Sequence, residues 1–174
     1  MSTTPLADPA RLRELVLANR ILAQQGVVDA FGHVSIRHPE EPGHYLIARS
    51  LGPERVTEAD LQRFTLDGQQ VGGHTGTAYA ERAIHGAIYA TRPEVLAVCH
   101  NHSPSVIPFG VTGVPLRPIY HMAGLLGSSI PWTRASCSSP LALSRNTWAC
   151  HCAPLLATKG LIATRSTRWS FLSR

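Results

Sequence analysis

The sequence predicts an α/β fold in a single domain, and three stretches carry that prediction. Asp8-Pro9-Ala10 opens a helix that runs to about Gln25, because aspartate accepts from the first free N–H groups and proline fits the first helical position. Gly32–Arg37 and Tyr45–Ala48 read as two strands of a hairpin across the loop Pro39-Glu40-Glu41-Pro42-Gly43. Ala80–Thr91 has helical spacing and is followed by the apolar run Val95–Cys99, which makes a helix that turns back into a strand. An apolar fraction of 44% over 174 residues is enough for one core.

The elements follow in order. Leu12, Leu15, Val16, Ile21 and Leu22 give the first helix a face for packing on a sheet. After the hairpin, Thr57–Asp60 reads as a short capped turn, Phe64–Leu66 as a strand and Asp67-Gly68 as a turn. In the second helix Ala80, Ile84, Ala87, Ile88 and Thr91 fall near one side, Glu81 sits in the first turn and Arg92-Pro93 ends it, since a residue before proline avoids the α region. Pro104 cannot join a ladder, so the last strand stops close to it.

That strand ends in His100-Asn101-His102. Side chains alternate along a strand, so residues two apart face the same way, and imidazole is a common ligand of catalytic divalent metals. Two solvated loop histidines would give the same spacing. The upstream helix favours the metal, because packing antiparallel on the strand carries Glu81 toward the histidine end. A carboxylate beside a bound metal serves as ligand or as general acid and base; a first-turn glutamate alone would simply complement the helix dipole.

Over residues 12–127 the chain resembles the class II aldolase/adducin family, which includes fuculose-phosphate-type aldolases and ribulose-phosphate 4-epimerases. Leu15–Gly26 is similar to the family's opening helix, and Phe31–Arg37 to its Gly-Asn-x-Ser turn and strand. Glu81 with its helix resembles the catalytic-acid helix, and His100 and His102 the paired metal ligands. The resemblance implies a three-layer α/β/α architecture with a central, mainly antiparallel sheet. It implies zinc, or else manganese or iron, on His100 and His102, with Glu81 as acid and base. It also implies an enediolate-forming lyase, a homo-oligomer (usually a tetramer with sites between subunits), and substrate contacts from Gly32, His33 and Ser35. Adducin-type members keep the fold without the metal site, so a non-enzymatic interaction module or an inactive truncated homologue is the alternative.

Departures from the family pattern narrow the substrate. Sugar-phosphate aldolases carry a serine pair before the catalytic glutamate, where this chain has Tyr79-Ala80, and His33 stands at the asparagine of Gly-Asn-x-Ser. A phosphorylated substrate is disfavoured. Ser103–Val111 and Arg117–Met122 instead resemble the decarboxylase-like branch, whose members act on small non-phosphorylated hydroxy or oxo acids. Arg37, Arg49 and Arg117 are candidate carboxylate clamps, each competing with a solvated surface role. His121 is a candidate substrate contact or additional acid/base, competing with a structural role. His85, one turn after Glu81, faces either the same pocket or a structural partner.

Charge separates the chain in two. Residues 1–130 hold ten arginines and all eleven acidic residues, whereas residues 131–174 hold six basic residues and no acidic one. All three tryptophans and three of the four cysteines also fall in this tail. Its basic residues are scattered without aromatic alternation, which disfavours a nucleic-acid or membrane partner. Cys150-His151-Cys152 is ligand-rich, but adjacent positions cannot all reach one ion. Out-of-frame translation is the favoured reading, with residues 1–130 as the domain and 131–174 as an atypical, frameshifted or disordered tail. On that reading the family's further metal-binding histidine is missing and the sheet loses its closing strands. The absence of a signal-like segment or a membrane-length apolar run, and Cys99 as a reduced core residue, point to the cytoplasm.

Overall fold

The structure is a computed structural model that describes residues 6–121, 123 and 162–164. Helix α1 (Pro9–Gln24) leads into strands β1 (His33–Arg37), β2 (His44–Ala48), β3 (Leu61–Thr65) and β4 (Gln70–Val71). Helix α2 (Arg82–Thr91), strand β5 (Ala97–His100), helix α3 (Ile107–Thr112) and strand β6 (Ile162–Thr164) follow. The strands form one sheet in the order β4-β3-β2-β1-β5-β6, and every neighbouring pair is antiparallel. The α/β fold around an antiparallel sheet is therefore the one observed.

Residues directly opposite in an antiparallel pair share a face. One face carries His33, Ser35, Arg37, Tyr45 and His100, and α2 lies over it. Three side chains hold the helix there. The Ser35 hydroxyl bonds the Tyr89 hydroxyl, Arg37 Nη2 donates to the Tyr89 carbonyl and the Tyr45 hydroxyl donates to the Arg82 carbonyl. Helix α1 packs against β1, with Arg11 and Glu14 beside Ile36 of the opposite parity. Leu15, Val34, Leu46, Ile47, Phe64 and Ile88 are among the buried side chains between these layers.

Arg37 shows why the α2 face is rigid. Its guanidinium is buried and donates to the carbonyls of Val95, Pro42, Tyr89 and Arg92, and it lies over the Tyr89 ring at 4.8 Å. Four of its five N–H donors are spent on backbone carbonyls, so the clamp candidate from sequence serves the fold. Arg49 is likewise taken, by Asp60 at 2.7 Å, while Arg117 is exposed.

Element boundaries depart from expectation in four places. Strand β3 starts at Leu61 rather than Phe64, because Asp60 Oδ2 accepts from the Thr57 N–H and hydroxyl and closes the turn at once. Leu61 and Gln62 are then free to pair with Ala48 and Ile47. Glu81 is the N-cap of α2 rather than a first-turn residue, and its carboxylate makes no capping bond. Helix α3 was not anticipated; Pro108 sits in its first turn and Gly113, at φ 77°, ends it in the left-handed conformation. Ile162–Thr164 of the tail pair with β5, so that edge is covered where an open one was expected. The rest of residues 131–174, and with it the reading of that tail as frameshifted or disordered, lies outside the described residues. Among the described residues no helix is long and apolar enough to cross a membrane.

Gly86 is the point where α2 comes closest to the sheet end. A Cβ there would drive into the Leu66 carbonyl and lie 3.5 Å from the Tyr45 ring. Backbone cannot yield as a flexible side chain can. Gly86→Ala is therefore expected to destabilise the fold by about 1–3 kcal/mol, measured as a lower urea midpoint; an unchanged midpoint would show that the close approach is not a constraint.

Candidate metal centre

The site is assembled by the register of two strands. His33 of β1 lies directly opposite His100 of β5, and their rings stack with centroids 4.8 Å apart. Gly32 makes this possible: a Cβ there would fall 2.7 Å from Val28 Cβ and 3.1 Å from the His100 carbonyl oxygen. From the uncapped start of α2, Glu81 Oε2 reaches to 3.4 Å from His100 Nε2 and 3.7 Å from His33 Nε2. Ligand atoms of His33, Glu81 and His100 all lie within 4.8 Å of one another, a set that can hold a metal ion.

His102 adjoins this group from the segment just past β5. Its Nε2 stands 3.0 Å from His100 Nε2. Two donor nitrogens facing one another at that range fit one ion, since zinc bonds of about 2.0–2.1 Å at tetrahedral angles separate neighbouring ligand atoms by about 3.3 Å. The other nitrogen, His102 Nδ1, is 3.3 Å from Asp29 Oδ1, and the same oxygen accepts from the Phe31 and Gly32 N–H groups. A carboxylate behind an imidazole fixes which nitrogen carries the proton and where the ring points.

Behind His33 runs a buried chain of polar atoms. His33 Nδ1 is 2.8 Å from His85 Nε2, His85 Nδ1 is 2.6 Å from Ser35 Oγ, and Ser35 Oγ is 2.7 Å from the Tyr89 hydroxyl. His33, Ser35 and His85 are fully buried, and Tyr89 nearly so. The Tyr79 ring tilts against His33 at 4.3 Å. Its hydroxyl donates to the Leu51 carbonyl and accepts from the Leu51 N–H.

The electrostatics follow from burial and neighbours. His33, closest in influence, and then the His100 charge hold the Glu81 carboxyl down at about 2, against the effect of its partial burial. Burial pushes His33 below its ordinary value, and pushes His85 far below, helped by its proximity to His33 and His100. Burial raises Asp29, but the His102 ring and the Phe31 and Gly32 N–H groups outweigh it and leave the carboxyl low. Burial pushes the Cys99 thiol up to about 12, which keeps it protonated at neutral pH.

Of the residues singled out from sequence, Glu81, His100, His102 and His33 meet here, with Gly32 as the hinge that admits them. Ser35 is not at an open pocket: its hydroxyl is shared between His85 and Tyr89. His121 is exposed and its ring lies 4.2 Å from that of Tyr120. Asp29 and Tyr89 were missed. The Asp29-x-x-Gly32 spacing signals an Asx turn, but nothing local signals that Asp29 also meets His102, 73 residues on.

The family model for the class II aldolase and adducin N-terminal domain matches residues 13–167, a span that passes the composition break at Pro131. The decarboxylase tropJ of Talaromyces stipitatus is 39% identical over 122 residues, covering 69% of this chain and 46% of that protein. The 3,4-dihydroxyphthalate decarboxylase of Arthrobacter keyseri is 33% identical over 128 residues, covering 67% of this chain and 50% of the relative. The solved L-fuculose 1-phosphate aldolase of Glaciozyma antarctica PI12 superposes with a TM-score of 0.64 at 25% identity, over 94% of this chain and 70% of that one. The chain thus spans about half the length of the curated relatives it matches.

The buried histidines set a pH dependence whose sign is fixed. In the unfolded chain His85 takes up a proton below about pH 6.5, while in the fold it stays neutral. Stability contributed this way is complete above about 6.5 and declines as the pH falls, by up to about 1.4 kcal/mol per pH unit for each such histidine. Urea midpoints measured from about pH 7.5 to 5 are expected to fall, and to fall less steeply in His85→Gln. Equal slopes in both proteins would remove His85 as the cause.

Proposed function

As the chain belongs to the class II aldolase and adducin family, we propose that it is a divalent-metal-dependent lyase acting on a small, non-phosphorylated hydroxy or oxo acid. One observation carries the reading: His100 Nε2 stands 3.0 Å from His102 Nε2 and 3.4 Å from Glu81 Oε2, which gathers three donor atoms at one place in the fold. These three residues would hold the ion, zinc by preference for such a donor set and manganese or iron otherwise. A divalent ion there polarises substrate oxygens and stabilises the negative charge left when a carbon–carbon bond breaks.

The protein's own groups supply the rest. Glu81 is ionised at neutral pH and 37% of its side chain is exposed. It is placed to take a proton from a substrate hydroxyl and return it to the carbon from which the leaving fragment departs. Asp29 keeps the His102 ring turned toward His100. Aldol cleavage and decarboxylation share this proton and charge inventory, and the decarboxylase relatives favour decarboxylation of a hydroxylated acid. Tyr79 supports a substrate without phosphate: at the place where sugar-phosphate aldolases offer a serine hydroxyl, its own is consumed by Leu51. An adducin-like interaction module would leave the converging ligand atoms without a use.

Metal analysis of the purified chain tests the reading. About one divalent ion per chain is expected, lost in His100→Ala. Glu81→Gln is expected to lower kcat about 10²–10⁴-fold for release of carbon dioxide or a carbonyl fragment from hydroxy and oxo acids. A wild-type chain free of divalent metal, or one that keeps its metal in His100→Ala, overturns the assignment.

A further inference from the structure

The buried chain behind the site has a direction, and its far end sets it. Tyr89 is 1% exposed, and its hydroxyl proton has one acceptor in reach among the described residues, Ser35 Oγ at 2.7 Å. Tyr89 therefore donates to Ser35. The Ser35 proton then has only His85 Nδ1 to go to, at 2.6 Å. With Nδ1 accepting, the single proton of neutral His85 lies on Nε2 and is donated to His33 Nδ1 at 2.8 Å. His33 is left with one place for its own proton, Nε2, the atom that faces Glu81.

We propose that Tyr89, Ser35 and His85 form a one-way hydrogen-bond relay that fixes His33 as a neutral Nε2–H donor directed at the Glu81 carboxylate, and so excludes it from the metal's ligands. The proximity of His33 to Glu81 and His100 otherwise suggests the opposite role. For Nε2 to offer a lone pair, His85 must instead donate from Nδ1 to Ser35 Oγ, and either the Ser35 proton or the Tyr89 proton is then left without an acceptor among the described residues. The observed spacing agrees with a donor held in reserve: His33 Nε2 has no hydrogen-bond partner within 3.5 Å and lies 3.7 Å from Glu81 Oε2. A short movement of Glu81, or of an oxygen taking its place, completes the bond. His33 is thus a positioning residue, and Ser35, His85 and Tyr89 position it.

The consequence for catalysis rests on the metal-lyase reading, but the tautomer does not, so the two can fail separately. Ring-nitrogen NMR of the ¹⁵N-histidine-labelled wild-type chain distinguishes protonated from bare nitrogens. His33 and His85 are both expected to carry hydrogen on Nε2 alone, in the metal-free chain and unchanged after loading with zinc. Hydrogen on Nδ1 of either ring, or loss of the His33 Nε2 proton on loading, overturns the proposal. Tyr89→Phe, which keeps the ring against Arg37, is expected to let the Nδ1–H form of His85 appear; an unchanged spectrum overturns the relay. With cobalt(II) as probe, His33→Asn is expected to keep the wild-type visible band positions, whereas His100→Ala abolishes them. If His33→Asn loses the bands as His100→Ala does, His33 is a ligand and the proposal fails while the metal reading stands. If the wild type binds no cobalt, the metal reading fails and the ring-nitrogen spectrum of the metal-free chain still decides the tautomer.

Discussion

The antiparallel pairing of β1 with β5 is the constraint on which the rest depends. It sets His33 opposite His100 and Ser35 opposite Val98, so one face of two adjacent strands carries both the clustered imidazoles and their buried support. A slip of one residue would turn His33 and Ser35 to the α1 side and bring Val34 and Ile36 beneath α2. Gly32 permits the pairing, because a larger residue would meet Val28 and the His100 carbonyl. Helix α2 is then fastened over the same face through Arg37, Ser35 and Tyr45, and its first residue cap, Glu81, overhangs the paired histidines.

Much of this was readable in the sequence, for local reasons. Helical spacing over Ala80–Thr91, the strand ahead of His100 and the turn chemistry around Gly32 and Gly43 are each settled by residues within a few positions of one another. Glu81 was found by the same logic, though its exact place was not. A residue at the N-cap rather than in the first turn has a side chain free to leave the helix, which is what lets the carboxylate approach His100. His100 and His102 come together because a strand end and the segment after it direct their Nε2 atoms toward one another.

What sequence could not show is how long-range contacts spend each side chain. Arg37 looks the same in one dimension whether it grips a substrate or four backbone carbonyls. Ser35 belongs to a motif associated with substrate, yet a tyrosine 54 residues away takes its hydroxyl. His85 reads as either a pocket residue or a structural one, and the structure makes the distinction less useful: it touches no open space, yet it decides what His33 can do. These assignments depend on contacts made only after the sheet and α2 have met, so no spacing rule reaches them.

Strand β6 has a different kind of consequence. It completes the β5 edge through backbone groups, and a backbone ladder asks little of the side chains that hang from it. Shielding an edge and furnishing a ligand are therefore separable duties for the chain beyond Pro131. Substitutions at Ile162–Thr164 that keep the backbone pairing would leave the β5 edge covered whatever side chains they bring.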